Sequence, residues 1–201
     1  MTAPAPGYRL VVIGVSAGGL YALRTIMSGL PADFDLPVVV VQHRSRDSEL
    51  LCELLQECAP LVIGEANDKE PILPGHVYVG PPDYHLLVEP GYCSLSTDEP
   101  VRFSRPSVDV MFLSAADAYS PDVVGIVLTG ANADGARGLR AIVDRGGYAV
   151  VQDPASAEVP VMPRAAIKAV PTACVLPLER IAPHLAAIRG RRMPPCRPVP
   201  A

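Results

Sequence analysis

The sequence predicts an α/β fold: a doubly wound, mostly parallel, Rossmann-like sheet with an appended antiparallel hairpin. Two observations predict the parallel sheet. Short runs dense in valine and isoleucine recur along the chain, as they do in strands that are covered on both faces. A longer segment with apolar residues at helical spacing follows each run. Such alternation of strands and helices gives right-handed crossovers between parallel strands.

Four strands and six helices are predicted from these patterns. The strands span residues 9–14, 36–42, 123–129 and 147–152. The helices span residues 18–30, 48–59, 107–119, 136–145, 163–169 and 178–189. Ser107 begins the third helix, and serine is a favourable N-cap residue.

The segment 75–97 breaks the alternation and predicts the hairpin. Its short apolar pieces are separated by Gly-Pro-Pro-Asp and Pro-Gly-Tyr, which are turn-forming combinations. We therefore predict antiparallel strands or a hairpin, appended to the main sheet.

Length and composition fit one domain. The chain has 201 residues, of which 49% are hydrophobic and 19% are charged. That balance supports a substantial core and excludes a disordered tether or a coiled coil. We predict a single domain over residues 1–190, with no further domain before the first strand. Residues 191–201, rich in proline, are predicted to be a flexible tail.

The net charge and the cysteine content indicate which partners and which cellular compartment to expect. The net charge of -4 argues against nucleic acid, whose binders usually carry a basic face. Five cysteines without a C-x-x-C pair indicate reduced thiols and a cytoplasmic location. The chain start lacks the pattern of a signal peptide. The longest apolar run, 36–41, is too short to span a bilayer, so no direct membrane insertion is expected.

No metal and no cofactor is expected. The sequence has neither an H-E-x-x-H motif nor a cluster of cysteine and histidine, which zinc sites require. The glycine-rich segment GVSAGG at 14–19 lacks the G-x-G-x-x-G spacing of a dinucleotide site.

Three reactive side chains follow three of the predicted strands. Ser16 lies between small residues that permit a sharp turn after the first strand. His43 directly follows the second strand, and Asp134 lies in the loop after the third. Ligands collect at the carboxyl ends of parallel strands. These residues are therefore a candidate nucleophile, base and orienting acid, in that order.

Each of the three residues also has a plainer interpretation. Ser16 could equally be a simple turn residue, because G-x-S-x-G matches arise often by chance. His43 could be a partly buried histidine at a strand end, and Asp134 could be the N-cap of the helix that follows it. The chain order Ser, His, Asp differs from that of the α/β-hydrolases. The order argues against that family and not against the chemistry, because triads are defined by geometry.

The remaining histidines are given structural roles. His85 could border the site, but a structural hydrogen bond is favoured at about two to one. His76 precedes a strand and His184 lies in the last helix, and neither has an evident partner in the sequence.

At these residues the sequence resembles the catalytic domain of the CheB family of chemotaxis protein-glutamate methylesterases. The blocks that carry the resemblance occur in the family's order over roughly residues 8–170. They are GVSAGG at 14–19, VVVVQHR at 38–44, PGHVYVGPPDYHLL at 74–87, RPSVDVMF at 105–112, LTGANADGARGL at 128–139 and GGYAVVQDPASAEVPVMPRAAI at 146–167.

The resemblance implies a carboxylic-ester hydrolase that cleaves γ-glutamyl methyl esters on the cytoplasmic helices of methyl-accepting chemoreceptors, releasing methanol. Some family members also deamidate receptor glutamines. The family's catalytic roles fall on Ser16, His43 and Asp134, and its oxyanion-binding backbone amide falls on Ala131. Arg105 is a candidate for binding acidic receptor groups near the cleft.

Two departures from the family pattern stand out. Family members usually have Met-Gly where this sequence has Ala131-Asn132, and asparagine alters the loop if φ is positive there. Members in bacterial chemotaxis commonly carry an N-terminal receiver domain, and none is expected here. A catalytically impaired module that binds a receptor or signalling protein is therefore an alternative function. A hydrolase of a small-molecule ester is a third.

Overall fold

The computed structural model of the chain describes residues 7–43 and 50–188. Its strands are β1 (Leu10–Val15), β2 (Val38–Gln42), β3 (Val62–Glu65), β4 (His76–Val79), β5 (His85–Glu89), β6 (Tyr92–Ser96), β7 (Val123–Val127), β8 (Tyr148–Gln152) and β9 (Cys174–Leu176). Its helices are α1 (Gly19–Gly29), α2 (Leu51–Gln56), α3 (Val108–Tyr119), α4 (Ala136–Asp144), α5 (Val161–Ala169) and α6 (Leu178–Ile188).

A seven-stranded sheet forms the centre of the molecule, in the order β3-β4-β2-β1-β7-β8-β9. All neighbouring strands in it pair in parallel. The antiparallel pair β5–β6 forms a separate sheet. The predicted fold class is confirmed. Strands β1 to β4 form one half of the sheet and β7 to β9 form the other, so the topological switch point lies between β1 and β7.

The sheet has one hydrophobic core on each face. Ile13 of β1 lies in the same core as Leu23 of α1 and Leu185 of α6. Its neighbour Val12 lies in the opposite core, with Phe112 of α3. Every residue of β1 is buried. Burial on both faces explains why the central strands are unbroken apolar runs.

The four predicted strands and six predicted helices are all present, with ends shifted by a few residues. Helix α5 begins at Val161, before the predicted start at Pro163. Proline is tolerated there because backbone N–H groups in the first turn of a helix have no acceptor within the helix, so the N–H that proline lacks is not missed. Ser48 and Arg189, which were predicted to begin one helix and end another, lie outside the described residues.

Strands β3, β4 and β9 were not predicted as members of the parallel sheet. β3 is largely exposed at one edge, and β9 has three residues at the other, so neither has a strong apolar pattern. β4 comes from the segment predicted to be antiparallel, but it pairs in parallel with β2 and β3. The rest of that segment forms the predicted hairpin.

No helix within residues 7–43 and 50–188 combines the length and the apolar character that crossing a bilayer requires. The predicted tail, 191–201, lies outside the described residues.

Candidate active site

The strand register brings Ser16 and His43 side by side. β1 and β2 pair Val15 with Gln42, and each candidate residue is the next one along its strand. The N–H of His43 donates to the carbonyl of Val15 at 3.0 Å. Neighbouring strands are ~4.8 Å apart. The nucleophile and base predicted from the sequence therefore lie on adjacent strands at the carboxyl edge of the sheet.

Both side chains belong to the same face of the sheet. Ser16 is in phase with Val12 of β1, and His43 is in phase with Val41 of β2, because side chains alternate along a strand. Val12 and Val41 lie in the core that α3 covers. Ser16 and His43 therefore occupy the face where α3 begins.

Thr129 braces the turn that carries Ser16. The Ser16 N–H donates to the Thr129 carbonyl at 2.9 Å. The Thr129 hydroxyl donates to the Ala17 carbonyl at 2.8 Å and accepts from the Val159 N–H at 2.9 Å. One buried hydroxyl thus joins the loop after β1 to the loop before α5.

Glycines make the close approach at Ser16 possible. Gly18 has φ +77, a left-handed conformation that strongly favours glycine. A Cβ on Gly130 would lie 2.8 Å from the Cβ of Ser16. The serine therefore sits against a backbone that leaves no room for a side chain.

Asp134 is buried, with 1% of its surface exposed, and is surrounded by donors. Its Oδ2 accepts from His43 Nε2 at 2.8 Å and from the Val108 N–H at 2.7 Å. Its Oδ1 accepts from the Ser107 hydroxyl and the Asp109 N–H, each at 3.0 Å. The predicted contact between the acid and the histidine is present.

The carboxylate of Asp134 also caps α3. Ser107 is the N-cap residue of α3, as predicted, and has an extended conformation, but its side chain makes no cap bond. An ionised carboxylate is favoured over a hydroxyl at the positive end of a helix, and Asp134 takes the free N–H groups. The alternative that Asp134 caps the following helix is not borne out, because Gly135 is the N-cap residue of α4.

The pKa of Asp134 lies below the ordinary value for aspartate. Burial alone would raise that pKa. The hydrogen bond from His43 and those from the Asp109 and Val108 N–H groups outweigh it. Asp134 is therefore ionised at neutral pH, as required of a group that orients a histidine and stabilises its positive form.

Asn132 contacts the other ring nitrogen of His43. Its Nδ2 lies 3.3 Å from His43 Nδ1, and its Oδ1 accepts from the Asp134 N–H at 3.0 Å. Because an N–H group binds the oxygen, the NH₂ group must face the ring. These contacts match a His43 ring that carries its proton on Nε2 and has a lone pair at Nδ1.

The contact with Asn132 leaves Ser16 unbonded to the base. In the described part of the chain, no hydrogen bond joins the Ser16 hydroxyl to His43, whose ring nitrogens bond to Asp134 and Asn132. The structure thus shows the acid–histidine half of the predicted triad as a bonded pair. The serine is a close neighbour that this pair does not yet contact.

An open cleft of about 630 Å³ lies over these residues. It is lined by residues 16–21, Gln42, His43 and Glu158. Tyr21, at 66% exposure, is the most exposed large apolar residue of this lining. Ser16 and His43 therefore open into one solvent-accessible space that a protein side chain can enter.

The other predicted site residues lie near this edge in different roles. Ala131 is exposed and follows Gly130, which contacts Ser16. Arg105 donates from Nη1 to the carbonyls of Thr97 and Asp98 at 3.0 and 3.1 Å, so it ties down the loop before α3.

The remaining histidines make structural contacts. His85 accepts the Ser107 N–H at Nδ1 and bonds the Glu99 carbonyl through Nε2, which confirms the structural hydrogen bond favoured for it. His76 bonds the Pro74 carbonyl, and His184 bonds the Tyr148 hydroxyl. Over residues 7–43 and 50–188, no group of three His, Cys, Asp or Glu side chains is placed to hold a metal ion.

Sequence reasoning missed two contributors to the site. Thr129 lies in a strand-end loop and carries an ordinary hydroxyl, so nothing in the sequence marks its contacts. Asn132 drew notice only because of its effect on backbone conformation. Among the described residues other than glycine, positive φ occurs at Lys69, Asp83, Arg102 and Phe103. The backbone of Asn132 is therefore not strained, and Asn132 contributes to the site through the contacts of its side chain.

A doubly wound sheet with a serine and an aspartate-bonded histidine at its carboxyl edge is typical of one class of enzyme, the serine hydrolases. Comparison with known proteins narrows that class. The family model described as CheB methylesterase matches residues 11–185. The chain belongs to the CheB methylesterase family.

Relatives and a solved structure agree with this assignment. A protein of Leptospira interrogans (serovar copenhageni) is 49% identical over 177 residues, covering 87% of this chain and 92% of the relative; its name is "Putative protein-glutamate methylesterase/protein-glutamine glutaminase". Protein-glutamate methylesterase/protein-glutamine glutaminase 1 of Carboxydothermus hydrogenoformans is 42% identical, covering 90% of this chain and 55% of the relative. The crystal structure of the Thermotoga maritima CheB methylesterase catalytic domain matches with a TM-score of 0.86 and 32% identity, covering 90% of this chain and 98% of the other.

Proposed function

We infer that this chain is a protein-glutamate methylesterase that hydrolyses γ-glutamyl methyl esters on chemoreceptors and releases methanol. The observation that carries the inference is the 2.8 Å bond between His43 Nε2 and the buried Asp134 carboxylate, in register with Ser16 at the edge of a cleft. Names of relatives at 49% and 42% identity support the substrate class.

The first half of the reaction forms an acyl-enzyme. The Ser16 hydroxyl attacks the γ-carbonyl carbon of the ester and passes its proton to His43 Nδ1, the ring nitrogen that Asp134 does not occupy. Asp134 stays ionised and balances the positive imidazolium. Collapse of the tetrahedral intermediate breaks the bond to the methoxy group, which takes the proton from Nδ1 and leaves as methanol.

The second half regenerates the serine. A water molecule attacks the acyl carbon while His43 Nδ1 takes one of its protons. Collapse of the second intermediate returns that proton to Ser16 and releases a glutamate side chain. An amide passes through the same steps with ammonia as the leaving group, so the same residues support deamidation of receptor glutamines.

The Ala131 N–H is the donor that we assign to the developing oxyanion. Residue 131 is exposed beside Ser16, and its N–H has no acceptor among the described hydrogen bonds of the loop. A preorganised backbone donor at an oxyanion is typically worth ~10²–10³ in rate.

The substrate and place of action follow from this function. The partner is the cytoplasmic helical region of a methyl-accepting chemoreceptor, and the enzyme acts in the cytoplasm. A role for Arg105 in contacting acidic receptor groups stays a prediction, with Nη1 already committed to the carbonyls of Thr97 and Asp98.

The alternative of a catalytically impaired binding module is not favoured. Two departures motivated it, the Ala131-Asn132 pair and the expected lack of a receiver domain. The first does not impair the loop, because the backbone at Asn132 does not need glycine. None of the relatives named above suggests such a module.

Methanol release from a methylated receptor fragment tests the function. Wild type is expected to release methanol, and Ser16→Ala is expected to lose at least ~10³-fold of kcat while giving the same circular dichroism spectrum. Equal release from the two proteins would refute the assignment of Ser16. Activity on small esters but not on the receptor fragment would refute the substrate class.

A further inference from the structure

The Asn132 side chain is held at both ends of its amide. Its oxygen accepts the Asp134 N–H two residues along the chain, an arrangement typical of an Asx turn. Its NH₂ group reaches His43 Nδ1 at 3.3 Å. Because Asp134 bonds the opposite ring nitrogen, one three-residue loop contacts both nitrogens of the base.

The two contacts differ in which protonation states of the His43 ring they allow. Asp134 accepts a proton from Nε2 whether the imidazole is neutral or charged. Asn132 donates only to a bare Nδ1, because an imidazolium carries an N–H there and two donors would then face each other. The Asp134 contact therefore suits both forms, whereas the Asn132 contact suits only the neutral ring.

Nδ1 is also the nitrogen that must take the proton of Ser16. The amide of Asn132 occupies that lone pair, and the serine is unbonded to it. A separation of 3.3 Å is long for an N–H donor, so a serine hydroxyl or a bound ester can displace the amide readily.

We propose that Asn132 is a positioning residue that, together with Asp134, holds His43 in the Nε2–H tautomer and keeps the base neutral and ready until Ser16 displaces the amide. The kinetic consequence rests on the proposed function. The tautomer is a property of the free protein and does not depend on any substrate.

The charges around His43 make such a neutral contact useful. Among the described residues, Asp134 bonds the ring and Glu158 lines the same cleft. Asp109 lies behind Asp134 and interacts with it electrostatically. All three carboxylates attract a positive ring, and Arg137 and Arg102 offset part of the charge of Asp109. Among the described contacts of the ring nitrogens, the one with Asn132 disfavours a positive ring.

Two substitutions separate this role from a structural one. Asn132→Asp keeps an oxygen for the Asp134 N–H, so the turn is preserved, but presents a second oxygen to Nδ1 instead of a donor. Asn132→Ala removes both contacts. For this chain, the acidic limb of the kcat profile for methanol release is expected to move to higher pH in Asn132→Ala and further in Asn132→Asp. KM is expected to change less than kcat does, because Asn132 acts on the base and is not among the residues that line the cleft.

Nitrogen NMR of labelled histidine gives a second readout that needs no turnover. The wild-type His43 ring is expected to show the Nε2–H tautomer at neutral pH, and its titration is expected to move to higher pH in Asn132→Asp. Methanol release that fails while Asn132→Asp still shifts the NMR titration would refute the proposed function and still support the role of Asn132. A wild-type Nδ1–H tautomer would overturn the inference, as would wild-type titration and kinetics in Asn132→Asp.

Discussion

Gly130 shows how much the position of the nucleophile depends on a neighbouring segment of backbone. Gly130 follows β7 and forms an isolated parallel bridge with Pro160 at the start of α5, and the Ser16 Cβ lies against the Gly130 backbone. The serine turn is thus fixed from two sides, by the Thr129 contacts and by close packing on Gly130.

Adding one methyl group at Gly130 is expected to displace Ser16. The new Cβ would overlap Met162 Sδ of α5 and would lie 2.8 Å from the Ser16 Cβ, closer than van der Waals contact allows, so both Met162 and the serine turn must shift. We expect Gly130→Ala to lower kcat by ~100-fold, since small misplacements of reacting groups have effects of that size. Gly64→Ala is the control, because its Cβ would meet nothing within 4 Å. Steady-state methanol release with full activity in Gly130→Ala would contradict this account of the packing.

Thr129 offers a second test at the scale of single residues. Thr129→Val keeps the shape but leaves the Ala17 carbonyl and the Val159 N–H without their partner, which is expected to cost about 1–3 kcal/mol of unfolding free energy and to lower kcat. Thr129→Ser retains the hydroxyl and is expected to keep most of the activity. Urea denaturation and methanol release measure both effects. Equal stability of the valine and serine variants would argue against the bracing role.

At the scale of elements, the start of α3 and the acid of the site depend on each other. Helix α3 places the Val108 and Asp109 N–H groups where they hold the Asp134 carboxylate. The carboxylate in turn satisfies donors that a helix end leaves free. The helix therefore orients the acid, and the acid orients His43.

Removing the carboxylate is expected to damage folding and catalysis together. Asp134→Ala leaves buried N–H groups at the start of α3 without an acceptor, which is expected to cost about 2–4 kcal/mol of unfolding free energy. Ser107→Ala removes one donor to Asp134 and is expected to cost about 1 kcal/mol. Chemical denaturation followed by circular dichroism gives both values. If Asp134→Ala were no less stable than Ser107→Ala, the capping role would be wrong.

At the scale of the whole molecule, stability is expected to depend on pH through Asp134. Its pKa is lowered from the ordinary value of 3.8, so its contribution to stability is present above that value and is lost as pH falls through the folded pKa. Asp109 has the opposite effect on the pH dependence of stability, because burial raises its pKa despite the hydrogen bond from the Gly138 N–H.

Asp134→Asn isolates this contribution, because asparagine keeps the shape and has no charge to lose. Between about pH 5 and pH 3, wild type is expected to lose more unfolding free energy than the variant does. Urea titrations across that range provide the comparison. Parallel pH dependence in the two proteins would show that Asp134 has no lowered pKa.

The central part of the molecule was predictable from the sequence because burial on both faces produces unbroken apolar strands. Ser16 and His43 could be found because parallel strands end at one edge, and Asp134 because its loop follows the strand on the other side of β1. The edge strands β3 and β9 lack such a pattern. The capping of α3 by Asp134 and the contact of Asn132 with His43 depend on tertiary packing between segments that lie far apart in the chain, so spacing could not reveal them.

The most direct test of the central claim is to locate the residue that becomes acylated or phosphonylated. The full-length chain would be treated with a fluorophosphonate, digested and mapped by mass spectrometry. We expect the adduct on Ser16 in wild type and at least ~10²-fold slower labelling in His43→Gln. An adduct on any other residue, or labelling of Ser16 at the wild-type rate without the imidazole, would contradict the assignment of a serine activated by His43.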